Sequence, residues 1–165
     1  MVDPSRIRLE KEFKQFLKDP LSEIGCDVDL ENDDLYHWKG VLQGPKDSIY
    51  KGGFFYFGID FTKDYPNEPP KAYFSTKIFN PNIFDGENGE KNSICIGILH
   101  SNKWKKIPIE ERSVKRIIYA FYNLFNEPNP DSYLNDKAAD LYKNNKKEFE
   151  RIAKDYVKKY ALTFL

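Results

Sequence analysis

The sequence predicts an α+β domain: one amphipathic helix, a four-stranded antiparallel meander, a polar loop, then a central helix and two C-terminal helices. Three observations predict it. Apolar residues recur at helical spacing near both ends of the chain. Between Cys26 and Thr76 the pattern changes to the alternation of half-exposed strands. Short turn signals separate those segments, and short turns join antiparallel neighbours. With 165 residues, 40% of them hydrophobic and 16% aromatic, the chain suits one compact core.

Asp3-Pro4 reads as an N-cap followed by proline at the first helical position. Leu9, Phe13, Phe16 and Leu17 then define the inner face of a helix from Pro4 to Leu17. Arg6, Arg8, Lys11 and Lys14 form its basic outer face. Asp19-Pro20 ends it, because proline disfavours a helical conformation in the residue before it. Cys26, Val28 and Leu30 alternate with acids in a first strand. Asn32-Asp33-Asp34 is a turn, Leu35 to Leu42 a second strand, and Gly44-Pro45 another turn. Tyr50 to Phe61 is aromatic and β-prone, giving a third strand. The proline-rich Tyr65 to Pro70 lacks the donors of a central strand, and Lys71 to Thr76 supplies a short fourth. Helical spacing returns at Val114, Ile117, Ile118, Phe121, Leu124 and Phe125, with Ser113 as cap and Glu127-Pro128-Asn129-Pro130 as stop. A shorter helix spans Asn135 to Asn144. The last runs from Lys146 to Tyr160, with Phe149, Ile152, Ala153, Tyr156, Val157 and Tyr160 facing inward.

Several function classes lose support at once. Lys+Arg and Asp+Glu balance at 26 each, which argues against a general nucleic-acid or membrane binder. No apolar run is long enough to span a bilayer, and no signal peptide is recognised. His37, His100, Cys26 and Cys95 are not at metal-ligand spacing. Phosphate-cradling glycine motifs and the Gly-X-Ser-X-Gly elbow are absent. Two cysteines make no disulfide framework, so a reducing compartment, cytoplasmic or nuclear, is expected.

What remains is the stretch Ile78 to Leu99, where Asn80-Pro81-Asn82 leads through a polar loop to Cys95. Cys95 has two readings: inert packing between Ile94 and Ile96, or a nucleophile. Cys26 fits inert packing, in line with Val28 and Leu30. His100 lies five residues beyond Cys95, past an apolar segment, and makes a poor base for it. Asn-Pro is an ordinary turn signal, yet a side-chain amide also donates to a developing oxyanion. The residues alone leave turn and acyl-transfer site both open.

The order of short motifs resembles the ubiquitin-conjugating enzyme (E2) family along nearly the whole chain. The motifs are Asp33-Asp34-Leu35-Tyr36-His37-Trp38 with Gly44-Pro45, Tyr50-Lys51-Gly52-Gly53, Asp64-Tyr65-Pro66 and Pro69-Pro70-Lys71. Ser93-Ile94-Cys95-Ile96 with Ile98-Leu99, then Trp104, then Glu127-Pro128-Asn129-Pro130 complete the series. The resemblance implies the UBC fold over residues 1–165 as a single catalytic core domain. It implies that Cys95 takes the C-terminal glycyl group of ubiquitin from an E1 activating enzyme as a thioester. With a RING or HECT E3 ligase, the group then passes to a lysine of a protein substrate. No cofactor is implied, ATP entering only through E1; a monomer is the family default.

The same resemblance assigns roles. Asn82 matches the last residue of the family's His-Pro-Asn motif, implying oxyanion stabilisation and support of the loop. Asn80 stands in the histidine position, where its amide retains a donor and an acceptor to organise the loop. Asp131 and Ser132 fall where relatives carry a residue that gates the thioester. Arg6 of the first helix, Pro66, Asn67, Trp104 and Lys105 are implied for the E1 and E3 surface. Asn67 replaces a residue that is often apolar in strong ligase binders. The loop Gly86 to Asn92 and the segment Lys105 to Glu111 are longer than usual. Ile117-Ile118-Tyr119, Ala138-Ala139 and Asn144-Asn145 also look like NEDD8-conjugating relatives. The Tyr36-His37-Trp38 region looks more like a ubiquitin E2, and those relatives usually carry a long N-terminal extension. Three hypotheses therefore stand: an E2 for ubiquitin, an E2 for NEDD8 or SUMO, and a non-catalytic variant used as a binding module.

Overall fold

A computed structural model describes residues 2–162. Helix α1 spans Pro4–Lys18, and Asp3 caps it by accepting from the Ser5 backbone N–H at 3.0 Å. Strands β1 (Cys26–Glu31), β2 (Asp34–Gln43), β3 (Phe54–Asp60), β4 (Lys71–Phe74) and β5 (Asn92–Ser93) form one antiparallel sheet in sequence order. Helices α2 (Ser101–Trp104), α3 (Val114–Asn126), α4 (Asp136–Asn144) and α5 (Lys146–Tyr160) follow. This is the expected α+β fold, with β5 and α2 added. Both additions are too short to show a period in sequence. No helix among the described residues is long and apolar enough to cross a membrane.

Local chemistry explains the boundaries. Asn32 and Asp33 both take positive φ, 54° and 58°, as the tight β1–β2 hairpin requires. The third strand begins at Phe54 rather than Tyr50, because Tyr50 to Gly53 is a turn with Gly52 at φ 82°. The fourth ends at Phe74 rather than Thr76; Thr76 Oγ1 instead accepts from the Tyr56 N–H at 2.9 Å. Ser113 caps α3, and Asn135 caps α4 rather than opening it. On β2, Gly40 faces inward: a Cβ there would overlap the Phe57 ring and stand 2.7 Å from the Asp27 carbonyl.

The core is aromatic and lies between the sheet and the helices. Trp38 takes the edges of Phe13 and Phe16 from α1 at 5.4 and 5.7 Å between ring centroids. Phe121 of α3 packs against Phe57 at 5.3 Å and Phe74 at 5.5 Å. Phe79 meets Phe149 and Tyr156 of α5 at 5.7 and 5.3 Å. The last helix thus holds the residue just before the Asn-Pro-Asn turn.

Two expectations for α1 are corrected. Leu17 is 67% exposed, because the helix ends at Lys18 and the chain turns away there. Arg8 is no part of a solvated basic face: its guanidinium donates to the carbonyls of Ile109 and Arg112, and its Nε lies 3.4 Å from Glu12. Glu12 itself is buried. It accepts from Tyr65 Oη at 2.6 Å and from the Val114 N–H at 2.8 Å. One carboxylate thereby ties α1 to the loop after β3 and to the first turn of α3.

Removing that carboxylate strands two buried donors. Glu12→Ala is expected to lose about 2–3 kcal/mol in denaturant unfolding at pH 7. Glu12→Gln keeps an acceptor for Val114 and gains a donor for Tyr65, so it loses much less. Burial holds the Glu12 pKa above its ordinary value. Its ionisation therefore costs stability as pH rises, and Glu12→Gln should gain on the wild type as pH climbs above about 4.5.

Candidate active site

The Asn-Pro-Asn turn is built by side-chain amides rather than by regular structure. Asn80 is fully buried. Its Nδ2 donates to Tyr50 Oη and to the Leu124 carbonyl of α3, each at 3.2 Å. Its Oδ1 accepts from the Asn82 N–H at 2.9 Å. Tyr50 Oη in turn donates to the Phe79 carbonyl at 2.7 Å. The Pro81 carbonyl accepts from the backbone N–H groups of Leu134 and Asn135, at 2.9 and 3.1 Å.

Asn82 reaches across to the Pro-Asn-Pro turn. Its Nδ2 donates to the carbonyls of Asn129 and Ser132 at 2.8 and 2.7 Å, and its Oδ1 accepts from the Asn129 N–H at 2.8 Å. An amide has two N–H donors, and both are used. In this arrangement Asn82 is a tether, with no donor left for an oxyanion.

The thiol sits on the outer side of this stitched pair of turns. The Cys95 N–H donates to the Asn82 carbonyl at 2.8 Å, and Ile83 bridges Ile94 in antiparallel fashion. Ile96 is buried beneath, whereas Cys95 is half-buried with Sγ 3.3 Å from Ser132 Oγ. Of the two residues expected to form a gate, only Ser132 touches the thiol. Asp131 points outward, 81% exposed, and pairs with Lys143 of α4 at 2.7 Å.

Other sequence candidates fall apart from this centre. Cys26 is buried, and burial pushes its thiol up to about 12, so it stays protonated and inert. His100 is exposed at the start of α2, without a side-chain bond to Cys95. No cluster of metal-ligating side chains occurs among the described residues.

The long loop before Cys95 is folded rather than extended. The Gly89 N–H donates to the Ser75 carbonyl at 2.7 Å, and Asn88 Oδ1 accepts from the Lys77 N–H at 3.1 Å. Lys91 lies 3.6 Å from Asp60 and above the Tyr73 ring, while Tyr156 Oη donates to Asp85 at 2.9 Å. The loop thus links the outer sheet face to α5.

Among the residues expected at a partner surface, Arg6, Asn67 and Lys105 are exposed and Pro66 is half-buried. Arg6 pairs with Glu10 at 3.3 Å, and Lys105 pairs with Glu68. Trp104 is corrected: it is fully buried, so it makes no surface of its own. Its Nε1 donates to the Pro66 carbonyl at 2.7 Å, holding the two loops together.

Arg112 shares that task and was missed from sequence. It is buried, and its guanidinium donates to the carbonyls of Ile107 (2.9 Å), Lys105 (3.0 Å) and Pro66 (3.3 Å). In a segment of Lys, Glu and Arg, nothing in the sequence separates it from a solvated charge. Tyr50 was likewise assigned only to a strand, not to the support of Asn80.

Asn80→Ala would leave the buried Asn82 N–H and Leu124 carbonyl unpaired. An unfolding free energy lower by about 2–3 kcal/mol is expected, with faster hydrogen exchange at the Asn82 amide. Unchanged stability and exchange would remove Asn80 from the loop's support. The family model for the ubiquitin-conjugating enzymes matches residues 8–157 of this chain.

Proposed function

The chain belongs to the ubiquitin-conjugating enzyme family, and we propose that it carries ubiquitin as a thioester on Cys95. The observation behind this reading is a half-buried thiol on a rigidly supported turn, with a hydroxyl 3.3 Å from its sulfur. In the first step the Cys95 thiolate attacks the thioester that joins ubiquitin to E1. A new C–S bond forms at Cys95 and the E1 thiolate leaves. In the second, a substrate amine attacks the Cys95 thioester, an isopeptide forms, and the cysteine thiolate is released. The acyl group arrives activated, so the chemistry asks for placement more than for a strong base.

The residues take roles that match their contacts. Cys95 is the nucleophile. Ser132 is the hydroxyl that meets the reacting sulfur, positioned to donate to charge developing on sulfur or on the adjacent carbonyl oxygen. Asn82 and Asn80 are positioning residues: the first sets Ser132 against Cys95, the second sets the loop against α3. Asp131 is held away by Lys143 and acts at the rim of the site. Arg6, Pro66, Asn67 and Lys105 face E1 and RING or HECT ligases, with Trp104 and Arg112 beneath them. We place the protein as a monomer in the cytoplasm or nucleus, where a free thiol stays reduced.

Charging tests this directly. The protein is incubated with ATP and matched E1 for ubiquitin, NEDD8 or SUMO, then run on a non-reducing gel. A thiol-sensitive adduct with ubiquitin, lost in Cys95→Ala, is the expected result. An adduct with NEDD8 or SUMO alone would keep the enzyme class and change the modifier. No adduct with any pair would leave a binding module.

Discharge of the preformed thioester to free lysine tests the hydroxyl. Ser132→Ala is expected to slow it by about tenfold or more, and Asp131→Ala by much less. Wild-type discharge in both variants would dismiss the gate.

A further inference from the structure

Asn88 is the only asparagine of this chain that is followed by glycine. The pair sits in the loop before Cys95, and both residues are exposed. The amide carbon of an asparagine side chain lies within reach of the next backbone nitrogen, and a glycine there puts no Cβ in the way. The turn itself calls for Gly89: its φ is 93°, in the left-handed region. An ideal Cβ on Gly89 would meet nothing within 4 Å, so the position is open to water.

The two groups that would react are held differently. Asn88 Oδ1 accepts from the Lys77 N–H at 3.1 Å, which draws electron density from Cγ and primes it as an electrophile. The Gly89 N–H donates to the Ser75 carbonyl at 2.7 Å, which keeps the proton on the nitrogen that would attack. The folded loop thus holds a primed electrophile beside a capped nucleophile. Exposed backbone hydrogen bonds of this kind open locally, without global unfolding.

Two neighbours lack the same combination. Asp85 also precedes a glycine, but its carboxylate accepts from Tyr156 Oη at 2.9 Å and lies 3.6 Å from Lys77 Nζ. A carboxylate resists attack by an amide nitrogen. Asn92 precedes the small Ser93, but it is buried in β5.

We propose that Asn88 is a self-modification site, where the loop converts its own side-chain amide to an acid whenever the Gly89 N–H leaves Ser75. The Gly89 nitrogen loses its proton to solvent and attacks Asn88 Cγ. A C–N bond closes a five-membered succinimide, the Cγ–Nδ2 bond breaks, and ammonia leaves. One water then adds to either ring carbonyl. Breaking the new bond gives aspartate; breaking the original peptide bond gives isoaspartate. Isoaspartate adds one carbon to the main chain between the Lys77 and Ser75 tethers, so both bonds cannot be kept. The loop before Cys95 is thereby released from the sheet in a one-way step.

The test incubates the whole chain at neutral and mildly alkaline pH, natively and in urea. Peptides are then mapped by mass spectrometry with aspartate and isoaspartate forms separated. In the native chain Asn88 should convert ahead of every other asparagine and of Asp85, faster as hydroxide rises. Urea should raise its rate by about tenfold or more, since it removes the Ser75 bond. Asn88→Gln, which would have to close a six-membered ring, should stay unmodified. In the purified isoaspartate form the Lys77 and Gly89 amides should exchange hydrogen faster than in the unmodified chain. No conversion of Asn88 in the native chain, or faster conversion at another residue, overturns the site. Equal rates with and without urea overturn the protection by Ser75, and unchanged exchange overturns the release of the loop.

Discussion

Both amide hydrogens of Asn82 are consumed by carbonyls of the turn that carries Asn129 and Ser132. The site depends on this crossing. Residues 82 and 132 are far apart in the chain and neither lies in regular structure, so no ladder of hydrogen bonds registers them. A single buried amide does so from one side, and the Asn82 carbonyl, bonded to the Cys95 N–H, does so from the other. The thiol and the Ser132 hydroxyl meet because both are referenced to one residue. A buried amide is costly to leave unpaired, which makes this arrangement stiff as well as specific.

The fold brings supports to that residue from three directions. Tyr50 and the end of α3 hold Asn80, and α5 packs Phe149 and Tyr156 on Phe79. The folded loop before Cys95 reaches the outer sheet face through Lys91 and α5 through Asp85. A second polar cluster stands at the other end of the sheet. There Glu12, Arg8, Trp104 and Arg112 bind α1 and the loops around residues 66 and 105. Exposed residues such as Asn67 and Lys105 therefore rest on buried hydrogen bonds.

Much of the fold was legible in the sequence. The Ser113 cap, the Lys146–Tyr160 helix and the first two strands announce themselves by local chemistry and period, which tertiary packing then reinforces. Leu17 was misread because helical period says nothing of where the sheet stops covering the helix. Arg8 was misread, and Arg112 passed over, because a charged side chain gives no sign of the carbonyls that will surround it. The site was legible only in part. Cys95 and Ser132 could be named, yet the separation of Asp131 from Ser132 depends on Lys143.

By itself, the sequence determined which stretches could be helices, strands or turns, and it placed a cysteine, Cys95, after an Asn-Pro-Asn turn and a polar loop. Those properties follow from periodicity, proline and caps, each acting within a few residues. Tertiary structure alone decided what each amide and charge would bond to. It turned Asn82 from an oxyanion donor into a tether and buried Trp104. A polar side chain takes its role from partners brought close by folding, and sequence distance carries no record of them.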